Sequence, residues 1–133
     1  MKLMIFTFFL FCLIGCSDKS SSNDPALSSE ESEENIIIYI SKGNTQCNND
    51  GLSPEESIQQ LIYAGIDVLD TYCGATTGLS FPAVCGGGTA DIIAHEIREF
   101  NLSDANDIGY ENVETVVDIE NMLSYEISEC EDI

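Results

Sequence analysis

Little in this 133-residue chain has the makings of chemistry beyond one histidine, six cysteines and a run of three glycines. His95 opens the pentapeptide His95-Glu96-Ile97-Arg98-Glu99. A zinc-protease helix needs a second histidine four residues on, so that two imidazoles face one metal, and here that position is Glu99. On a helix Glu99 would stand beside His95 as a carboxylate partner for a base, whereas on a strand Glu96 and His95 point to opposite faces. No nucleophile is marked, because Ser80 and Thr89 have no motif around them, and a surface or packing role is the plainer reading of the histidine. Cys47, Cys73, Cys85 and Cys130 with His95 contain the right atoms for zinc, but no two of these cysteines have the close C-x2-4-C spacing of structural zinc sites. No C-x-x-C is present for thioredoxin-like exchange.

Two backbone-rich stretches offer ligand chemistry instead. Cys85-Gly86-Gly87-Gly88-Thr89 has the amide density to cradle an anion, yet no Lys-Ser/Thr follows as in a nucleotide-binding loop, and the chain's charge opposes phosphate. Gln46-Cys47-Asn48-Asn49-Asp50-Gly51 has the look of a calcium loop. With Gly51 as its sixth position the twelfth is Ser57 rather than the bidentate Glu, which excludes an EF-hand and leaves Asn48, Asp50 and Glu55 as weak calcium candidates. No cofactor is expected.

The elements that must position these groups are legible in part. Ile36 to Ser41 is β-branched, apolar and too short for a helix, and reads as a buried strand. Ser53 is a helix N-cap, Pro54 the first helical residue and Glu56 the return arm of a capping box. Ile58, Leu61 and Ile62 then form an inward stripe and Gly65 the stop. Ile66 to Cys73 alternates as a strand, with Leu69, Thr71 and Cys73 on one side. Residues 74–88 are a long Gly-rich connection. Residues 89–100 fit a helix through Ile93, Ile97 and Phe100 or a strand through Ile93, His95 and Ile97; the strand is preferred because a short helix follows, capped by Ser103, with Ala105 and Ile108 inward and Gly109 as stop. Residues 111–119 read as a strand, and 119–130 as a C-terminal helix with Ile119, Met122, Leu123 and Ile127 inward. The order predicts an α+β fold, a small two-layer sandwich of ferredoxin-like β-α-β-β-α-β type with a tail helix.

The N-terminus speaks to location. After Met1 and Lys2, an apolar run from Leu3 to Ile14 broken only by Thr7 covers about 18 Å as a helix, too short for a hydrocarbon core of roughly 30 Å. It ends Leu13-Ile14-Gly15-Cys16 and turns polar at once. This resembles the lipobox of bacterial lipoprotein precursors, in which the cysteine is acylated and becomes the first residue after cleavage. The resemblance implies a signal peptide over residues 1–15, a lipid such as palmitate on Cys16, and a membrane anchor, since each buried CH2 contributes about 0.8 kcal/mol and two or more chains hold firmly. Ser17 rather than Asp after the cysteine implies, by the enterobacterial rule, the outer membrane.

Residues 16–35 follow as a disordered acidic tether with Pro25 and Glu30, Glu31, Glu33 and Glu34. Residues 36–133 are left as one domain. Beyond Cys16 three Lys/Arg stand against 24 Asp/Glu, a net −21, which excludes nucleic acid and leaves protein or cationic partners. In an exported domain the four remaining cysteines imply two disulfides. Cys73 and Cys85 flank the Gly-rich connection and are expected to pair, leaving Cys47 for Cys130; a closed loop of the first size contributes roughly 3 kcal/mol. The stretch Leu61–Gly78 with the later Val84-Cys85-Gly86-Gly87-Gly88 also resembles a small module of exported bacterial proteins, a resemblance that brings no activity and no catalytic residues. The reading that follows is a membrane-tethered binding module of the cell envelope; its alternative is a small envelope enzyme or enzyme inhibitor using the 74–88 loop.

Overall fold

Seven residues, Asn35–Ser41, form strand β1, and the β-branched Ile36-Ile37-Ile38 run explains why. The structure is a computed structural model that describes residues 34–48 and 50–130. The signal segment, Cys16 and the tether as far as Glu33 lie outside the described residues. Helix α1, Pro54–Tyr63, begins as its sequence requires: the Ser53 hydroxyl accepts from the Glu56 amide, and the Glu56 carboxylate accepts from the Ser53 amide. Gly65 turns the chain at φ +80°, a conformation open to glycine. Strands β2, Asp70–Thr77, and β3, Asp91–Arg98, follow. After a 3-10 turn at Glu99–Asn101 come helix α2, Leu102–Asp107, and the two-residue strand β4, Glu111–Asn112. A second 3-10 turn, Val113–Val116, leads toward strand β5, Ser124–Glu129.

The sheet is wholly antiparallel, in the order β4-β1-β3-β2-β5. β3 sits at its centre and is buried on both faces, which is why Ile92-Ile93-Ala94 reads as an unbroken apolar run. The register pairs Ile38 with His95, and Thr71 with the same histidine from the other side. Side chains two apart along β1 and β3 therefore share one face, and Ile38 and Ile97 meet Leu61 of α1 and Ala105 of α2 in the core with Ile66 and Tyr110. Both helices cover that face. Burying each large aliphatic chain contributes about 1.5–3 kcal/mol. The second face is crossed by the segment after β4, whose 3-10 turn touches β1 on its way to β5 at the far edge.

Several expectations are corrected. Residues 119–130 are not a helix: Tyr125 and Ile127 alternate with Ser124, Glu126 and Ser128, and this period-two pattern pairs with the otherwise open edge of β2. The strand expected over 111–119 stops after Asn112, whose side chain accepts from the Glu114 amide and whose carbonyl accepts from the Thr115 hydroxyl, curling the backbone into a 3-10 turn. β2 runs on through Gly74–Thr77, so the Gly-rich connection begins only at Gly78. Gly74 belongs in the strand because a Cβ there would meet the Glu126 carbonyl oxygen at 2.0 Å, so only glycine permits β5 to approach. Helix α2 is entered from Asn101 rather than Ser103, and Ile62 and Ile108 are exposed rather than inward.

Candidate functional site

The histidine lies in the core. β3 is the strand preferred for residues 89–100, so Glu99 falls in the turn beyond it and takes no part beside His95. His95 is fully buried, as are Ser57 of α1 and Tyr110. Ser57 Oγ is 2.8 Å from His95 Nε2 and 2.7 Å from the Tyr110 hydroxyl, and Thr71 Oγ1 of β2 is 2.9 Å from His95 Nδ1. Two proton registers satisfy this chain. In one, Tyr110 donates to Ser57, Ser57 to Nε2, and Nδ1–H to Thr71. In the other, Thr71 donates to Nδ1, Nε2–H to Ser57, and Ser57 to the phenol, whose proton goes to the Ser57 carbonyl 3.1 Å away. Either way the ring is neutral, and burial pushes its pKa down to about 4. Burial also pushes the Tyr110 phenol up, against a smaller opposing effect of its Ser57 hydrogen bond.

The pair Ser57–His95 has the contact distance of a nucleophile and its base. It has no access to a substrate, since Ser57, His95 and Tyr110 all have 0% exposure. The chain therefore joins α1, β2, β3 and the segment after α2 as a packing device. Only Thr71 borders an open cleft of about 460 Å³, shared with Ile58, Val68, Leu69 and Cys130. Ser57 and Tyr110 carried no warning in the sequence beyond being polar residues at positions that α1 and the close of α2 turn inward.

The cysteines are paired differently from the expectation. The bonds are Cys47–Cys85 and Cys73–Cys130. Cys73 and Cys85 do not pair because β2 continues past Cys73 and carries the Gly-rich loop to the far end of the sheet. Cys73 instead lies beside β5, opposite Ser128, where Cys130 is two residues away. Cys47 meets Cys85 because the loop after β1 and the loop before β3 leave the sheet at the same end.

That end has the stronger claim to be a functional surface. Three connections meet there: residues 42–53, 78–90 and 117–123. The first two are knit by the disulfide, by the Gln46 amide donating to the Gly87 carbonyl and the Gly86 amide to the Gln46 carbonyl, and by the Gln46 side chain donating to the carbonyls of Pro82 and Gly88. Asn44 donates to the Asp91 carboxylate and accepts from the Thr89 hydroxyl. In the third, Asp118 accepts from the amides of Glu120 and Asn121 and from the Asn121 side chain, folding a tight tip closed by the pairing of Asp118 with Leu123. Gly78, at φ +85°, lies against the Met122 carbonyl and joins the tip to the Gly-rich loop.

On this braced base Leu79, Phe81 and Val84 are 50, 40 and 57% exposed, and Ile119 and Met122 are 89 and 81% exposed. No charged residue occurs among the 20 between Asp70 and Asp91, in a chain with 24 acidic residues. That gap in charge was the available sequence signal. The calcium candidates are not gathered by this loop: Asp50 is taken up by the amide and hydroxyl of Thr45, the Asn48 side chain donates to that hydroxyl, and Glu55 is exposed on the first turn of α1. Among the described residues no group of three His, Cys, Asp or Glu is placed to hold a metal.

Comparison with protein-family models, with curated proteins and with solved structures gives no match. The functional reading rests on geometry.

Proposed function

We propose that this chain is a membrane-tethered binding module of the bacterial cell envelope, with the end formed by loops 42–53, 78–90 and 117–123 as its recognition surface. The observation that carries this is the display of Leu79, Phe81, Val84, Ile119 and Met122 at a disulfide-braced end of the sheet whose 78–90 loop has no charged residue, in an otherwise acidic chain. Apolar side chains held exposed on a rigid base lose little freedom on binding, which is what a recognition surface requires. Cys16 is the lipid anchor and the residues between it and β1 the spacer, by the resemblance of the N-terminus to a lipobox, and outer-membrane placement follows from Ser17. Two disulfides agree with an oxidising compartment. The partner is a protein or cationic surface, not nucleic acid, because the net charge repels phosphate.

The rigid bracing of the 78–90 loop also suits an enzyme inhibitor, the second reading. The fold is inferred to be of ferredoxin-like type through β4, supported by the strand order β4-β1-β3-β2 with both helices over one face, and extended by β5.

The test uses the native lipidated protein. A photo-crosslinker at Val84 is expected to give a discrete protein adduct in intact envelopes, lost in a Leu79→Ser/Phe81→Ser variant and retained in Tyr63→Ser, an exposed control on α1. Equal adducts in both variants reject the loop end. Mass spectrometry of the mature protein is expected to find an acylated Cys16 at the N-terminus; a product still carrying the first fifteen residues rejects the anchor.

A further inference from the structure

We propose that the Cys47–Cys85 bond is a thiol-exchange site, open to reduction by an external dithiol while the domain stays folded and Cys73–Cys130 stays closed. Four observations support it. Both Cys47 and Cys85 are exposed, whereas Cys73 and Cys130 are each partly buried. Cys47 and Cys85 lie in loops, but Cys73 sits within β2, hydrogen-bonded to β3 on one side and β5 on the other, so a reagent reaching Cys130 from its cleft still meets a bond whose other half is locked in the sheet. Cys85 is followed by Gly86, Gly87 and Gly88, which place no side chains of their own beside it, and a Cβ built on Gly86 would meet nothing within 4 Å. Cys47 holds φ +71°, a left-handed conformation that side chains rarely adopt, in an exposed turn closed by the Asn48 amide donating to the Thr45 carbonyl.

The chemistry is ordinary exchange. A donor thiolate attacks Cys85 Sγ, the Cys47 sulfur leaves as thiolate and takes a proton, and the donor's second thiol then displaces Cys85 from the mixed disulfide. Two electrons and two protons pass to the protein, and the donor dithiol becomes a disulfide. Attack is controlled by access, which favours this bond over the one in the sheet. The core does not depend on it. The His95 chain and the residues packed with Ile38 and Leu61 lie on the helix-covered face, away from these loops. Exchange would loosen the base under Phe81 and Val84 while leaving the sheet intact. The consequence for recognition rests on the loop end being the binding surface; the exchange itself does not.

The native protein, labelled with 15N, is exposed to a limiting series of dithiothreitol concentrations, quenched with N-ethylmaleimide, and split between peptide mass spectrometry and NMR. Cys47 and Cys85 are expected to be alkylated at least tenfold faster than Cys73 and Cys130, with the ring resonances of the single histidine unmoved. Equal rates, prior labelling of Cys73 and Cys130, or loss of the His95 signals in step with alkylation would each overturn the proposal. The same reduced sample, crosslinked through Val84, reports separately on the binding reading: an adduct that survives reduction leaves exchange standing and removes its role in recognition.

Discussion

Ser57 Oγ stands between two buried groups, 2.8 Å from His95 Nε2 and 2.7 Å from the Tyr110 hydroxyl, and so couples helix α1 to the central strand and to the chain leaving α2. Each of the three is fully buried. The cost of removing one member is therefore set by the desolvation of what remains.

Ser57→Ala is expected to lower unfolding stability by about 1–3 kcal/mol, the cost of leaving the imidazole nitrogen unpaired. Tyr110→Phe is expected to cost less, because Ser57 keeps its His95 partner. Combined, the two substitutions should fall short of additivity by about 0.5 kcal/mol or more, since they share one hydrogen-bonded chain. Urea denaturation of the four proteins checks the cycle; strict additivity would mean that the hydroxyls do not interact.

His95 also dictates a pH response. Its folded pKa of about 4 lies below the unfolded value of about 6.5, so the unfolded chain binds the proton first and acid favours unfolding. The contribution is whole above about pH 6.5 and is lost as the pH falls through that value toward 4, amounting to about 3 kcal/mol. Because the carboxylates titrate in the same interval, the comparison is with His95→Gln. The stability difference between wild type and variant should shrink steadily from pH 7 to pH 4 and change little from pH 8 to pH 7.

Gly74→Ala is expected to push β5 from β2, since the new methyl would lie 2.0 Å from the Glu126 carbonyl oxygen. Overpacking of this kind costs about 1–3 kcal/mol. Hydrogen exchange should accelerate at the amides of Glu126 and Ser128, which face β2, while those of Ile38 and Ala94 keep their protection.

Non-reducing peptide mapping should recover Cys47 with Cys85 and Cys73 with Cys130. Replacing Cys73 and Cys130 by Ser together is expected to cost about 2–5 kcal/mol in thermal or urea unfolding. Any peptide joining Cys73 to Cys85 contradicts the placement of the Gly-rich loop.

The residues that announced themselves were those whose local chemistry agrees with the fold. Ser53, Pro54 and Glu56 specify the start of α1 within a few neighbours, and Ile36 to Ile40 specify a strand whatever surrounds them. The C-terminal strand was hidden because Ile119, Met122, Leu123 and Ile127 satisfy a helical period as well as Tyr125 and Ile127 satisfy an extended one, and only the vacant edge of β2 decides between them. The disulfide pairing was hidden for a related reason: it depends on where β2 ends, and a strand through Gly74 is visible only when the carbonyl of Glu126 is seen pressed against it. The His95 chain joins residues 24, 38 and 53 positions apart in sequence on separate elements, and no motif spans them. By contrast, the charge-free interval between Asp70 and Asp91 could be read without any structure, and it lies at the end proposed to bind.

The sheet's direction has a mechanical consequence. The chain enters at Asn35, at one end of β1, while loops 78–90 and 117–123 lie at the other, about 20 Å away along the strands. A load between the side of the proposed anchor and anything gripped at the far loops would pull β1 lengthwise against β3 and β4, sliding many hydrogen bonds at once instead of peeling them one by one. A domain strung this way resists tension best along the line on which a tether would apply it.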